Sequence, residues 1–438
     1  MANGGGDRYE RLNEMLDEAA QSGRSLDDIA FEAINGHDTP QTNGHDFPAI
    51  AANPKELGLS MTDKGALRMN LDNVVRVLEA DPNIKGHIWY DEFLDAIITD
   101  RQGEPRKWRD DDDIWLQLYA QRHVGLHQVG LGTCHDAAKM AALHDTRNEC
   151  QDWLNGLQWD GTERLTHMLS DGFGTQQDAY TQAVGRCWMV SIVARVMRPG
   201  CKVDTVPVLE GIQGAGKSTA LAILGGKWFV ECHESVMTKD FFGVLTGHML
   251  VEISEMHSFT RAEVARIKGI ISCQVDRYRK AYGRHTEDHP RHTVLVCTTN
   301  RDDWQKDETG ARRFWPVLCG EINKEWLTVN RDQLFAEAVT RFNRGEAWHD
   351  VPVDEQEAQV EQRRDADSWE PQIEEWLTGR SRVLIGQLLD DCFGIEPAKQ
   401  DMLLQKRASR VLRALKWGNK PMRGDDGKLR KYWAPSDN

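Results

Sequence analysis

Residues 211–219 read GIQGAGKST, the spacing GxxxxGK(S/T) between a strand-like TVPVLE and an Ala/Leu-rich helix. That arrangement suits a polyphosphate. Glycines let backbone N–H groups curl around an anion, and a helix N-terminus adds a favourable field. Gly211, Gln213, Gly214, Ala215, Gly216, Lys217, Ser218 and Thr219 would form the cradle. Lys217 would reach the β and γ phosphates, and Ser218 would ligate Mg²⁺, so ATP and Mg²⁺ are the expected cofactors. Downstream, HMLVEISE is an apolar strand ending in carboxylates. An acid at the tip of a strand beside the loop can hold the Mg²⁺ shell or orient water. Alternation puts Glu252 and Ser254 on one face and Glu255 on the other. Glu255, at the strand end, is the first choice for catalysis, and Glu252 the second; both are candidate Mg²⁺ ligands with Ser218. The strand TVLVCTT leads to Asn300, an amide able to contact the γ-phosphate or the attacking water. Arg312 and Arg313, in DETGARRFWPV, suit a finger reaching a neighbour's phosphates.

These groups need a frame. Strands are expected at Thr205–Glu210, Trp228–Glu231, His248–Ser254 and Thr293–Thr298, with helices between. Alternation of that kind predicts an α/β fold with a mainly parallel sheet. Around it the chain divides into a weakly structured acidic segment over 1–62 and a mixed accessory domain over 63–150. A helical lead-in over 151–202 precedes the phosphate-loop core over 203–348. An acidic linker over 349–379 and a small domain over 380–438 follow. The last reads helix, helix, hairpin, with a turn signal at Gly424–Gly427, which suggests a winged helix. Its expected apolar helix face is Leu403, Leu404, Val411, Leu412 and Leu415. No internal repeat is evident.

Charge locates the partner. The 438 residues carry a formal net charge of −15, which would ordinarily argue against nucleic acid. The acidity is local. Residues 1–150 sum to −12 and 346–379 to −9, whereas 151–345 are neutral and 380–438 sum to +6. Nine scattered cysteines without a CxxC pair read as reduced thiols in a cytoplasm-like compartment. No apolar run is long enough for a membrane span. The start has no apolar stretch behind a basic patch, so no secretory signal is expected. Asp110–Asp113 begin a helix, where acids suit the dipole; a metal-binding carboxylate cluster is the sharper alternative.

The order of motifs resembles the virulence-associated protein E family, phage and prophage ATPases akin to superfamily 3 helicases. The carrying stretches are DWLNGLQWDGTERL, VARVMRPGCKVDTVPVLEGIQGAGKST, HMLVEISEM, DRYRKAYGRH and VLVCTTNRDDWQKDETGARRFWPV, within roughly residues 150–350. The resemblance implies an AAA+-like ATPase core that assembles as a ring. It also implies a role in mobile-element DNA replication in a bacterial host cytoplasm. Ser254 stands where two adjacent acids are usual in the second acidic motif, which leaves the Mg²⁺ ligand open between Glu252 and Glu255.

DNA is the expected partner, single-stranded or forked. Residues 276–292 interleave Arg277, Arg279, Lys280 and Arg284 with Tyr278 and Tyr282. Cations track a phosphate backbone and rings stack on bases. In superfamily 3 helicases a channel hairpin lies at this point. Lys268, with Arg266 on the preceding helix, would line the same channel. Lys406, Arg410 and Arg413 on a basic helix, and Lys428 and Arg430 on the hairpin, would form a second contact surface. The leading expectation is a hexameric helicase or translocase with a possible replisome or primase partner. The alternative is a nucleotide-switched loader or regulator without processive unwinding, and a third is a defence ATPase.

Overall fold

The computed structural model describes residues 53–279, 285–301, 304, 311–361, 367–423 and 429–436. They form two compact units. One runs to Asp91 and resumes over Ala96–Arg147; the other comprises Glu92–Asp95 and Asn148–Asn438.

The first unit packs helices on a small mixed sheet. Helix α1 (Leu71–Ala80) starts where the Asn70 side chain accepts from the Asn73 N–H. Strands β1 (Ile88–Asp91), β2 (Ala96–Thr99) and β3 (Arg106–Lys107) are antiparallel neighbours. Helices α2 (Asp110–Tyr119) and α3 (Leu131–His144) follow, and β4 (Thr146–Arg147) pairs parallel to β1. Val74, Val77, Leu116, Tyr119 and Ala138 form the core. Leu57 and Leu59 join it, so order begins before residue 63. The run Asp110–Asp113 fills the first turn of α2. Asp112 accepts from Arg101, Arg106 and the Arg109 backbone, and Asp113 from Trp108. The sharper alternative of a metal site there is thus replaced by guanidinium partners. Among the described residues no group of three or more His, Cys, Asp or Glu could hold a metal ion.

The second unit opens with α4 (Glu149–Gly156), α5 (Met168–Phe173) and α6 (Ala179–Met197). Helix α6 is buried continuously from Cys187 to Val196, as expected of a helix apolar on every side. A five-stranded sheet then forms from β5 (Val206–Glu210), β6 (Phe229–Cys232), β7 (Leu250–Ile253), β10 (Val294–Thr299) and β11 (Phe314–Leu318). Helices α7 (Lys217–Gly225), α8 (Phe241–Leu245) and α9 (Arg261–Ile271) lie between its strands, and a separate hairpin pairs β8 (Val275–Tyr278) with β9 (Glu287–Pro290). The sheet order is β11–β5–β10–β7–β6, with every pairing parallel. Apolar residues on both faces of β5 and β10 reflect helices covering both sides. One core, with Trp188, Leu209 and Trp315, lies on one side; another, with Val251, Ile267 and Phe314, lies on the other.

Helix α10 (Lys324–Asn343) packs on α6 and α7, and α11 (Val353–Glu361) on β11. The chain ends in α12 (Glu370–Leu377), α13 (Ile385–Phe393), α14 (Met402–Ala414), β12 (Trp417–Arg423) and β13 (Leu429–Pro435), the last two an antiparallel hairpin. Their core holds Ile373, Leu388, Val411, Leu412 and Trp433. Ile373 and Leu377 come from within the acidic 349–379 stretch, so α12 belongs to this core. Leu403, expected on the buried face, is 76% exposed; Ala408, Val411 and Leu412 carry the packing instead. No helix among the described residues is long and apolar enough to cross a membrane.

Candidate functional site

The loop 211–216 leaves β5 at its carboxyl end, where the strand order reverses: the chain goes from β5 to distant β6 and returns beside it as β10. Such a switch point is where open parallel sheets bind ligands. Gly211, Gly214 and Gly216 have φ of 153°, 79° and 88°, a region that favours glycine. The Gly211 N–H donates to the Thr299 carbonyl, tying the loop to β10. Lys217 is the first residue of α7, and its Nζ donates to the Gly211 and Ile212 carbonyls at 2.8 and 3.0 Å. Burial lowers its pKa.

Ser218 Oγ donates to Glu252 Oε1 at 2.9 Å, and Thr298 Oγ1 donates to the same oxygen at 2.6 Å. Glu252 is 0% exposed. Its Oε2 has no hydrogen-bond partner among the described residues. Burial raises its pKa, against the two hydroxyl hydrogen bonds that favour the charged form. A buried carboxylate beside the loop serine, with one oxygen unused, is the donor set a Mg²⁺–phosphate complex needs: one or two protein oxygens, the rest from water and phosphate. The sequence placed the acidic strand next to the loop strand. In the structure β10 intervenes, and Thr298 on β10 helps to hold the acid. That hydroxyl was missed, because only the strand order reveals it.

Glu252→Gln is therefore expected to raise the melting temperature in metal-free buffer at neutral pH. The folded pKa is raised, so this group's stability contribution is present below the unfolded value and lost as pH rises through the folded one. Neutral pH is the destabilised side. A gain of about 1 kcal/mol would read as roughly 2–4 °C in thermal denaturation.

Glu255 lies beyond the end of β7. It is exposed and takes φ 55°, ψ 41°. A left-handed non-glycine residue stores strain that often marks a functional turn. Asn300 directly follows β10 and is exposed; the pairing of Thr299 with Glu210 brings it to the same sheet edge as the loop. Arg312 and Arg313 end a short 3₁₀ turn before β11. Arg313 Nε donates to Ser272 Oγ at 3.0 Å. Among the described residues neither arginine forms a hydrogen bond or ion pair with its own chain's loop.

A family model for the virulence-associated protein E-like domain matches residues 154–368. The chain carries a virulence-associated protein E-like domain. The match takes in the glycine loop, Glu252, Asn300 and both arginines, and leaves the α12–β13 region and the whole of the first unit outside. No curated protein matches. Solved structures of the NrS-1 C-terminal region are similar. One apo structure has 11% identity and a TM-score of 0.46, covering 80% of this chain and 96% of that one. An A-form apo structure has 13% identity and a TM-score of 0.47, covering 84% and 100%.

Within the virulence-associated protein E-like domain, the expected DNA residues separate. Arg277 and Arg279 are exposed on the β8–β9 hairpin, Arg277 beside Asp288 at 3.6 Å. Lys280, Arg284 and Tyr282 lie outside the described residues. Lys268 requires correction. It is 7% exposed, with its Nζ 5.7 Å from the Phe314 ring centre, so it lines no open surface. The helix face that carries Lys268 is the one turned to the core, beside Val264 and Ile271. Arg266, on another face, is exposed and donates to the Val236 carbonyl.

Outside the domain match, Lys406, Arg410 and Arg413 line a cavity of about 560 Å³ on α14. Arg410 and Arg407 both bind Asp367. Burial would raise the Asp367 pKa, but hydrogen bonds from Arg407, the Trp369 N–H and Arg410 hold it at about 2. Arg413 lies over the Trp433 ring at 5.4 Å. Arg430 is exposed on β13, and Lys428 lies outside the described residues. The basic helix is thus partly neutralised by an acid that the sequence assigned to a linker.

Proposed function

We propose that the chain is a Mg²⁺-dependent ATPase whose AAA+-like core couples nucleotide turnover to movement on DNA, as a ring-forming helicase or translocase. The observation that carries this reading is the Ser218–Glu252 contact beneath the glycine loop. Lys217 and the loop N–H groups would bind the phosphates. Ser218 and Glu252 would hold Mg²⁺, which when bound neutralises charge on the β and γ phosphates. Glu255, projecting from its strained turn, would take a proton from the attacking water, and Asn300 would orient that water. Arg313 would reach a neighbouring subunit: Ser272 fixes its Nε and leaves the two Nη groups free of hydrogen bonds among the described residues. Arg312 is the adjacent alternative.

The β8–β9 hairpin supports a single-stranded DNA contact through Arg277 and Arg279. The α14 helix and its hairpin support a winged-helix-like second contact through Lys406, Arg413 and Arg430. The test is strand displacement of a forked duplex with ATP and Mg²⁺, alongside particle mass with and without nucleotide and single-stranded DNA. ATP-dependent unwinding by a multi-subunit particle supports the reading. A monomer under all conditions removes the ring motor. Turnover without displacement would leave a nucleotide-switched loader.

Arg313→Ala is expected to lower kcat about a hundredfold and to leave nucleotide affinity within about threefold. Equal loss of both, in steady-state turnover and equilibrium binding, would count against a finger.

A further inference from the structure

Lys324 was not among the residues the motifs pointed to. It is the first residue of α10, 107 positions after Lys217. A cation at a helix N-terminus opposes that helix's own dipole, so α10 gains nothing from it. Nor does it form a hydrogen bond or ion pair through its side chain among the described residues. Its position is close to the loop: a Cβ built on Gly216 would lie 2.8 Å from Lys324 Cε and 3.4 Å from its Nζ. Gly216 is the N-cap of α7. The end of the Lys324 side chain therefore lies against the N-cap of the helix that Lys217 opens.

A glycine clasp holds Lys324 there. The turn before α10 lies against the end of α5, where the Gly320 N–H donates to the Phe173 carbonyl and the Asn323 N–H to the Gly172 carbonyl. A Cβ on Gly174 would lie 2.5 Å from the Glu321 carbonyl oxygen, and one on Gly320 would lie 2.4 Å from the Gly174 carbonyl oxygen. Only glycine permits that approach on either side. The lead-in helices thus fix the height of Lys324 above the loop.

A cation held against a helix N-cap, with no acid paired to it among the described residues, favours an anion there. A second feature points to a ligand at the same loop: two residues beyond Gly216, Ser218 donates to Glu252, whose other oxygen is buried and without a hydrogen-bond partner among the described residues. We infer that Lys324 is a second phosphate-binding lysine, acting on the nucleotide held by its own chain's loop. The inference rests on the phosphate-loop reading. Loop N–H groups cradle the α and β phosphates, whereas the loop lysine reaches β and γ. Lying over Gly216, Lys324 is placed for the α and β phosphates. It would grip ADP as well as ATP, unlike a group that senses the γ-phosphate.

The experiment is equilibrium binding of fluorescent ADP and of a non-hydrolysable ATP analogue to the full chain with Mg²⁺. The wild type is compared with Lys217→Ala, Lys324→Ala and Lys324→Arg. Lys324 is exposed, so its replacement should not alter the melting temperature. Lys324→Ala is expected to weaken both nucleotides about tenfold, and Lys324→Arg to restore affinity to within about threefold. Unchanged binding by Lys324→Ala, with binding lost in Lys217→Ala, would make Lys324 an ordinary solvated lysine and overturn the inference alone. Loss for the ATP analogue with ADP unchanged would overturn the α/β placement. A wild type that binds neither nucleotide would bring down the phosphate-loop reading itself.

Discussion

Lys217→Ala is expected to reduce ATP turnover roughly a thousandfold or more, with the fold intact. Among the described residues the ammonium donates only to two neutral carbonyls of its own loop. A phosphate offers the same donor a charged acceptor, and charge-assisted hydrogen bonds are about twice as strong as neutral ones. The ammonium is also partly desolvated already, which is why its pKa is lowered; the anion would find it preorganised. Removing one preorganised donor from a transition state costs about 10²–10³ in rate. Here the same group also contributes to binding, so kcat/KM should fall further than kcat. Stability should change little, because the loop shape is set by glycine conformation and by the Gly211–Thr299 hydrogen bond. Lys217→Arg is not expected to rescue. The planar guanidinium is wider than an ammonium, and Gly211 stands close against Cys319. The check is steady-state phosphate release with melting curves for both variants. Turnover within tenfold of wild type would remove the site assignment.

The local part of this site was readable from sequence because its chemistry is contiguous. GIQGAGKST must curl, and the structure has it curl at the end of β5. What lies across the sheet was readable only as a choice. Both Glu252 and Glu255 stood on the apolar strand, and position at the tip favoured Glu255. The structure ends β7 at Ile253 and sets Glu252 against Ser218. That contact depends on the strand order and on how far β7 extends, neither of which a single sequence reveals. Lys268 shows the converse failure. Arg266 and Lys268 are both cations on one helix, and the charges alone suggested one surface; the packing of α9 buries one and exposes the other. Lys324 was invisible for a third reason. It carries no motif, and its role comes from the close approach of Gly174 and Gly320, 146 residues apart in the chain.

Asp276→Ala is expected to be the most destabilising single change near the hairpin. Asp276 is 4% exposed and accepts from Arg291 Nε at 2.8 Å, with a second hydrogen bond from the Arg291 guanidinium. Arg291 also donates to the Ile270 carbonyl. Arg195, 1% exposed on α6, donates to the carbonyls of Arg291, Val203 and Cys273. Burial lowers its pKa to about 10, with Arg291 adding to the effect. Asp276 thus pairs directly with Arg291, and its charge also acts on the neighbouring Arg195. Taking that acid away leaves Arg291 charged, buried and beside a second cation. Breaking such a pair costs about 3–5 kcal/mol, or roughly 6–20 °C at about 2–4 °C per kcal/mol. The loss should begin at β8 and β9, which Asp276 and Arg291 join at their base, and should reach the exposed Arg277 and Arg279. Hydrogen exchange would show the hairpin opening before the parallel sheet. The double replacement Asp276→Leu with Arg291→Met removes the orphaned charge and should cost less than Asp276→Ala alone. If the single variant melts within about 2 °C of wild type, the carboxylate is not what holds the hairpin to α6.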